Sequence, residues 1–246
     1  MKFAIIAAGE GSRLASEGVA VPKPLVKVGG ECLIDRLIRV FLDNDATEIV
    51  VVCHSGMPQV AAHLDTLRRE GLQGREVPLR YVVRQTPSSM HSFFEISPML
   101  MGGPFVLTTV DTVFREDEFR AYVSAFRHSK SDGLMGVTDY VADERPLYVR
   151  VGDGQMIGGF YDSKADAPDL RFVSAGIYGL RPQALATLQH CVERGEMRMR
   201  NFQRALIADG QQLLAWPFSR VIDVDHVDDI REAETLNGED FEHSTD

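Results

Sequence analysis

The chain has 246 residues, a formal net charge of -10 and 44% hydrophobic residues. That size suits one large α/β domain or two small ones, with enough apolar material for a sizeable core. The acidic balance leaves no basic surplus to neutralise a nucleic acid or an anionic membrane, so those partners are excluded. A small polyphosphate stays open, because it needs only a few local cations.

The three cysteines, Cys32, Cys53 and Cys191, are dispersed and lack metal-ligand spacing. They predict neither structural zinc nor a disulfide framework, and fit a reducing, cytoplasmic setting. The apolar opening at residues 1–8 is too short for a signal peptide, and Gly9, Glu10 and Arg13 follow at once. No stretch approaches the roughly twenty apolar residues needed to span a membrane.

In chain order, residues 2–8 read as a buried strand. Leu33, Ile34, Leu37, Ile38 and Phe41 recur at helical spacing and predict an amphipathic helix over 33–42. A strand follows at 48–53, a helix at 60–69, a strand at 79–83 and a short helix at 91–96, stopped by Pro98. A fourth strand lies at 105–110 and a helix at 116–126. This alternation implies βαβ units, a mostly parallel sheet and right-handed crossovers.

The rhythm changes near residue 131. Strand-like pieces at 134–137 and 148–151 are divided by charged turns and by Gly152-Asp153-Gly154. A longer strand is expected at 171–180, helices at 182–191 and 201–208, strands at 213–218 and 220–224, and a closing helix at 228–236. The acidic tail, 237–246, is expected to fray. Residues 1–236 thus read as one domain of two halves, about 1–130 and about 131–236, sharing a sheet.

The informative stretch is Ala7-Ala8-Gly9-Glu10-Gly11-Ser12-Arg13-Leu14, followed by Pro22-Lys23-Pro24-Leu25-Val26-Lys27-Val28-Gly29-Gly30. Glycines directly after a buried strand let the backbone turn sharply and bring its N–H groups to a phosphate chain. Arg13 adds a permanently charged fork suited to phosphate oxygens. Lys23, held between two prolines, suits a position over an α-phosphate, where charge develops during displacement. A dinucleotide-binding loop would need glycine where Leu14 stands, and a P-loop would end in Gly-Lys-Ser/Thr, which is absent.

The double motif, Gly-x-Gly-x-Arg-Leu and then Pro-Lys-Pro-Leu, resembles the N-terminal signature of the NTP-transferase superfamily. That group includes sugar-nucleotide pyrophosphorylases and molybdenum-cofactor nucleotidyltransferases. The resemblance implies a Rossmann-like three-layer sandwich with a mixed, mostly parallel central sheet, the GT-A-like nucleotidyltransferase fold. It implies that Ala8, Gly9, Gly11, Ser12 and Arg13 hold a triphosphate in the first half, and that Lys23 stabilises the transition state with Arg13.

Magnesium takes hard oxygen ligands, commonly one or two carboxylates plus substrate phosphates. Asp111 ends the apolar run 104–110, and ligands of open α/β sheets bind beyond the carboxyl ends of strands. The family places a metal-binding aspartate there. The stretch 221–230 resembles the family's late Asp-x-Asp segment, with His226 and Val227 in place of Thr-Pro. Asp223 and Asp225 would share a face of a regular strand, and either can be the second ligand. Asp228 and Asp229 read as helix-capping residues, and His226 as a packing or capping residue.

Gln85 and Ser89, in Arg84-Gln85-Thr86-Pro87-Ser88-Ser89, occupy the family's base-reading turn. An amide offers both donor and acceptor. Ser88-Ser89 read equally as a helix N-cap pair. In the second half, Ser174-Ala175-Gly176-Ile177-Tyr178 resembles the strand lining the acceptor site, with Ser174 in place of asparagine. Lys164, in a loop at 158–164, and Arg198 and Arg200 are further acceptor-phosphate candidates.

The expected activity is transfer of NMP from an NTP to a sugar or polyol phosphate with release of pyrophosphate. The expected partners are an NTP, a small phosphorylated acceptor and Mg2+. Homo-oligomer formation is left open. The alternatives are a GT-A glycosyltransferase using a nucleotide sugar, a molybdenum-cofactor-type nucleotidyltransferase, and a non-catalytic nucleotide-binding relative.

Overall fold

A computed structural model of the chain describes residues 1–141, 145–166 and 170–242. From the N terminus come β1 (Lys2–Ala7), α1 (Ser12–Ser16), β2 (Lys27–Val28), β3 (Glu31–Cys32), α2 (Leu33–Asp43), β4 (Glu48–Cys53), α3 (Pro58–Glu70), β5 (Leu79–Val83) and α4 (Ser89–Ile96). Next are β6 (Phe105–Thr109), β7 (Thr112–Phe114), α5 (Glu116–His128), β8 (Gly133–Thr138), β9 (Tyr148–Val151), β10 (Ile157–Tyr161) and β11 (Phe172–Leu180). The order closes with α6 (Gln183–Glu193), α7 (Met199–Ala208), β12 (Leu213–Phe218), β13 (Val221–Asp223) and α8 (Val227–Glu242).

Nine strands form one mixed sheet in the order β10-β9-β11-β6-β1-β4-β5, with β8 also on β11 and β12 beyond β8. The pairs β6–β1, β1–β4, β4–β5 and β8–β12 are parallel, and β11 runs antiparallel to β6, β8 and β9. β1 and β4 are continuous apolar runs because both of their faces are covered. Successive side chains go to opposite faces. Phe3 and Ile5 enter a core with Leu37 of α2, Leu64 of α3 and Phe119 of α5. Ala4 and Ile6 enter a second core with Phe93 of α4, Leu188 of α6 and Phe202 of α7. Helices on both sides of a mixed, mostly parallel sheet give the expected three layers.

The strand order positions the site. From β1 the chain steps to β4 and β5, and α4 then carries it back to β6, on the other side of β1. Where successive connections diverge in this way, a crevice opens beyond the carboxyl ends of the strands. The glycine turn follows β1 and Asp111 follows β6, so both flank that crevice.

The chain departs from expectation at four places. The stretch expected as a loop from residue 158 contains β10, whose pairing with β9 is irregular between Ile157 and Gly159. Two adjacent glycines there erase the period-2 signal. The Val-Gly-Gly turn joins β2 to β3, a two-residue hairpin. The short β7 pairs with β13. The closing helix runs through Glu242, past the point where fraying is expected, because each residue added to a nucleated helix gains a backbone hydrogen bond. Residues 243–246 of the expected tail lie outside the described residues.

A helix-to-helix contact makes a pH-dependent prediction. His63 Nε2 of α3 lies 2.6 Å from Asp35 Oδ1 of α2. That hydrogen bond raises the imidazole pKa above its ordinary value against the opposing effect of burial. The stabilisation is complete below the ordinary histidine pKa and is lost as pH rises through the raised folded value. His63→Gln should therefore lower Tm by about 2–4 °C at pH 6 and by less than half that at pH 9. Equal losses at both pH values would assign the effect to packing alone.

Candidate active site

The site begins with the turn after β1. Gly11 has φ 62°, in the left-handed region, and starts α1. A Cβ there would lie 2.9 Å from the Lys23 Cβ, so glycine allows both the turn and the close approach of Lys23. Lys23 opens a one-turn 3-10 helix, Lys23–Leu25, between Pro22 and Pro24, and is only 7% exposed. Gly11→Ala should strain the turn and displace Lys23, lowering turnover on the order of 10²-fold with the far-ultraviolet circular dichroism unchanged. Full turnover in a folded G11A protein would show that this approach is dispensable.

Lys23 Nζ lies 2.5 Å from Asp111 Oδ2 and 2.5 Å from Asp225 Oδ1. Arg13 Nη1 donates to Asp225 Oδ2 at 2.6 Å. Two segments far apart in sequence meet through the β7–β13 ribbon, in which Thr112 pairs with Asp223. The Val224 N–H then donates to the Asp111 carbonyl at 3.0 Å. Burial alone would lower the Lys23 pKa, but the Asp111 and Asp225 carboxylates beside it hold it raised. Burial alone would raise the Asp111 pKa, but the Lys23 ammonium holds it lowered. The cluster is therefore one ammonium between two carboxylates.

β13 stops at Asp223, so the strand alternation that would aim both aspartates the same way ends between them. Asp225 turns to Lys23 and Arg13. Asp223 instead accepts from the Thr112 hydroxyl at 3.3 Å. Asp229 Oδ2 accepts from the N–H groups of Asp225 at 2.9 Å and His226 at 2.6 Å, fixing the entry to α8. Asp228 is exposed and pairs with Arg231. His226 Nδ1 meets Glu17 Oε1 at 2.5 Å, and Glu17 Oε2 accepts from the Val227 N–H at 2.7 Å. These contacts tie α1 to the start of α8.

Two cavities join at the carboxylates. One, of about 620 Å³, is lined by Ala8, Gly9, Gly11, Ser12, Arg13, Lys23, Gln85, Ser89, Asp111 and Asp225, all singled out from sequence. The other, of about 410 Å³, is lined by Asp223, Ser174, Gly176, Arg198 and Arg200. Both share Ser89, Thr109, Asp111 and Asp225. Of the two serines at the start of α4, Ser88 accepts from the His91 N–H at 3.4 Å as the N-cap; both line the larger cavity, and Ser89 lines the smaller one as well.

Gly176 sits at a β11 irregularity with φ 70°, where a Cβ would lie 3.1 Å from Thr112 Oγ1 and 3.4 Å from Thr109 Oγ1. The second cavity thus packs against the threonines that bracket Asp111. Ser174 donates to Gln203 Oε1 at 3.0 Å. Lys164 is not among the residues lining either cavity, and its ammonium stands 5.5 Å from the centre of the Tyr148 ring. Arg200 bonds Asp162 at 2.5 Å, whereas Arg198, exposed at the cavity wall, carries no side-chain partner among the described residues. Sequence reasoning passes over His54, Arg145 and Gln203. Of these, His54 carries a usable signal, since it directly follows β4 on the ligand-binding edge.

Among the described residues, no group of three or more His, Cys, Asp or Glu side chains could hold a metal. The pair that does converge suits magnesium, whose remaining ligands come from phosphates and water. Asp111 and Asp225 already share one cationic atom, the Lys23 ammonium.

The family described as Nucleotidyl transferase matches residues 2–239. The chain belongs to that family. It is 27% identical over 243 residues to the bifunctional IPC transferase and DIPP synthase of Rubrobacter xylanophilus, a match covering 95% of this chain and 51% of that protein. The chain spans about half the length of the curated relatives it matches. Among solved structures, the inositol-1-phosphate CTP transferase from T. maritima has a TM-score of 0.78 at 17% identity, covering 96% of this chain and 95% of that one. A UDP-glucose pyrophosphorylase from Acinetobacter baumannii has a TM-score of 0.77 at 16% identity, covering 99% and 94%. At these identities the likeness concerns the fold. Among the described residues, no helix is long and apolar enough to cross a membrane.

Proposed function

We propose that this nucleotidyl transferase family member transfers NMP from an NTP to a sugar or polyol phosphate and releases pyrophosphate. The observation that carries this reading is the pair of cavities meeting at Lys23, Asp111 and Asp225. A triphosphate in the larger cavity and an acceptor phosphate in the smaller one would meet at the shared carboxylates. The names of the relatives, an IPC transferase and an inositol-1-phosphate CTP transferase among them, support a phosphorylated polyol or sugar as acceptor.

In this reading residues 1–130 bind the NTP and residues 131–236 the acceptor, within one domain. Ala8, Gly9, Gly11, Ser12 and Arg13 cradle the phosphates, and Gln85 and Ser89 contact the nucleoside. Asp111 and Asp225 would hold magnesium, which when bound draws charge from the α-phosphate and the departing pyrophosphate. The acceptor phosphate attacks the α-phosphorus in line. It is already an anion, so no strong general base is needed. Lys23 follows the charge that grows on the α-phosphate oxygens, and the two cavity walls hold the reactants in line. Three free thiols support a reducing, cytoplasmic setting.

The test is a pyrophosphate-release assay with each NTP, Mg2+ and a panel of sugar and polyol phosphates. Pyrophosphate that appears only with both substrates is the expected result. Release of a nucleoside diphosphate from a nucleotide sugar, with no pyrophosphate from any NTP, would replace this reading with glycosyl transfer.

A further inference from the structure

The larger cavity contains one imidazole that the proposed roles leave unused. His54 immediately follows β4 and lines the cavity with the glycine turn and Gln85. The Gly56 backbone N–H donates to His54 Nδ1 at 2.9 Å. A backbone amide can only donate, so Nδ1 must be the unprotonated nitrogen of the ring. A neutral imidazole has one N–H, which must then sit on Nε2. Nε2 has no protein partner among the described residues. A cavity-lining residue therefore keeps a ring N–H of fixed identity with no protein acceptor among the described residues.

The order of strands says which part of a nucleotide meets it. Along the ligand-binding edge the neighbours run β6, β1, β4, β5. Their ends carry Asp111, the glycine turn, His54 and Gln85 in that order. With phosphates at the first two, a nucleoside extends over the last two. We infer that His54 is a nucleoside-recognition residue, donating its Nε2–H to an oxygen or ring-nitrogen acceptor of the NTP base while Gln85 meets the base beyond it. This rests on the nucleotidyl-transfer reading of the cavity. Gly56 belongs to the same device: a Cβ there would lie 3.0 Å from His54 Nδ1 and 3.1 Å from Cε1, so alanine would push the ring off its lock.

The test is calorimetric titration of the NTP panel with Mg2+, and of inorganic tripolyphosphate with Mg2+, into wild type, His54→Ala, His54→Asn, His54→Gln and Gly56→Ala. Loss of one neutral hydrogen bond predicts about five- to tenfold weaker binding of the preferred NTP to H54A, H54N and G56A, with tripolyphosphate binding unchanged. Glutamine carries its amide N–H near the place of Nε2 and should restore most of the affinity, whereas asparagine reaches only the place of Nδ1. Long-range ¹⁵N spectra of the free protein above the imidazole pKa should show the Nε2–H tautomer. Wild-type affinity in H54A, equal loss of tripolyphosphate affinity, or an Nδ1–H tautomer would each overturn the inference while leaving nucleotidyl transfer intact. A wild type that binds no NTP would overturn both.

Discussion

Lys23→Ala is expected to lower turnover roughly 10²–10³-fold, the loss of about 2.7–4 kcal/mol of transition-state stabilisation seen when one preorganised donor is removed. The same substitution should strengthen metal binding in the absence of nucleotide. In the wild type the ammonium sits 2.5 Å from both carboxylates, where a divalent cation would have to sit. A metal entering alone would have to displace a buried lysine whose side-chain partners among the described residues are these two carboxylates. With an NTP bound, the lysine would have the α-phosphate to turn to in exchange for the carboxylates, which would be free to hold the metal. Free Mg2+ should therefore bind the wild type poorly without NTP and bind K23A measurably. Without the ammonium, Asp111 and Asp225 face each other as like charges, which destabilises the apoprotein and favours any cation. A thermal-shift titration reads this directly: Mg2+ alone should raise the Tm of K23A more than that of the wild type. Equal shifts would show that Lys23 does not compete for the metal position, and near-normal turnover would remove it from the reaction.

How much of this is legible in the amino-acid sequence follows from the range of each interaction. β4, β5, β9 and β12 are apparent as apolar or alternating runs bounded by turns, and the structure gives them the expected bounds. The place of the glycine turn and of Asp111 follows from a local rule, since each directly follows a buried parallel strand. Which of Asp223 and Asp225 turns to Lys23 is not a local matter. It depends on where β13 ends, and that end is set by pairing with β7, a three-residue strand more than a hundred residues upstream. Such short strands carry too few residues for a period to show. Lys164 is another case that depends on a strand the sequence hides. A lysine near an expected acceptor loop is attractive in one dimension, but the two glycines of β10 conceal a strand just before it, and its ammonium stands over the Tyr148 ring. Arg198 reaches the second cavity because α7 begins there.

Asp225→Asn and Asp223→Asn should separate cleanly although the residues are two apart. Asp225 faces the Lys23 ammonium and the Arg13 guanidinium. Asn there leaves both cations undercompensated and removes one of the two carboxylates proposed to hold the metal. Turnover should fall about 10²–10³-fold, in keeping with the several kcal/mol that a bound cation contributes to phosphoryl-type displacement. The Mg2+ concentration for half-maximal rate should rise. Asp111, left with Lys23 to itself, keeps its lowered pKa, so acid should not abolish the residual rate until pH drops below the ordinary carboxylate range. Asp223 is bonded to Thr112 and lines the smaller cavity, the proposed acceptor site, with Ser174 and Gly176. Its Asn variant should keep the wild-type Mg2+ dependence and NTP affinity while KM for the acceptor rises about tenfold, the effect of weakening one or two hydrogen bonds to a sugar or polyol hydroxyl. Steady-state kinetics varying Mg2+, NTP and acceptor in turn decide the matter. Reversal of the two phenotypes, with metal dependence altered by D223N and acceptor KM by D225N, would mean that the end of β13 does not divide the aspartates in solution.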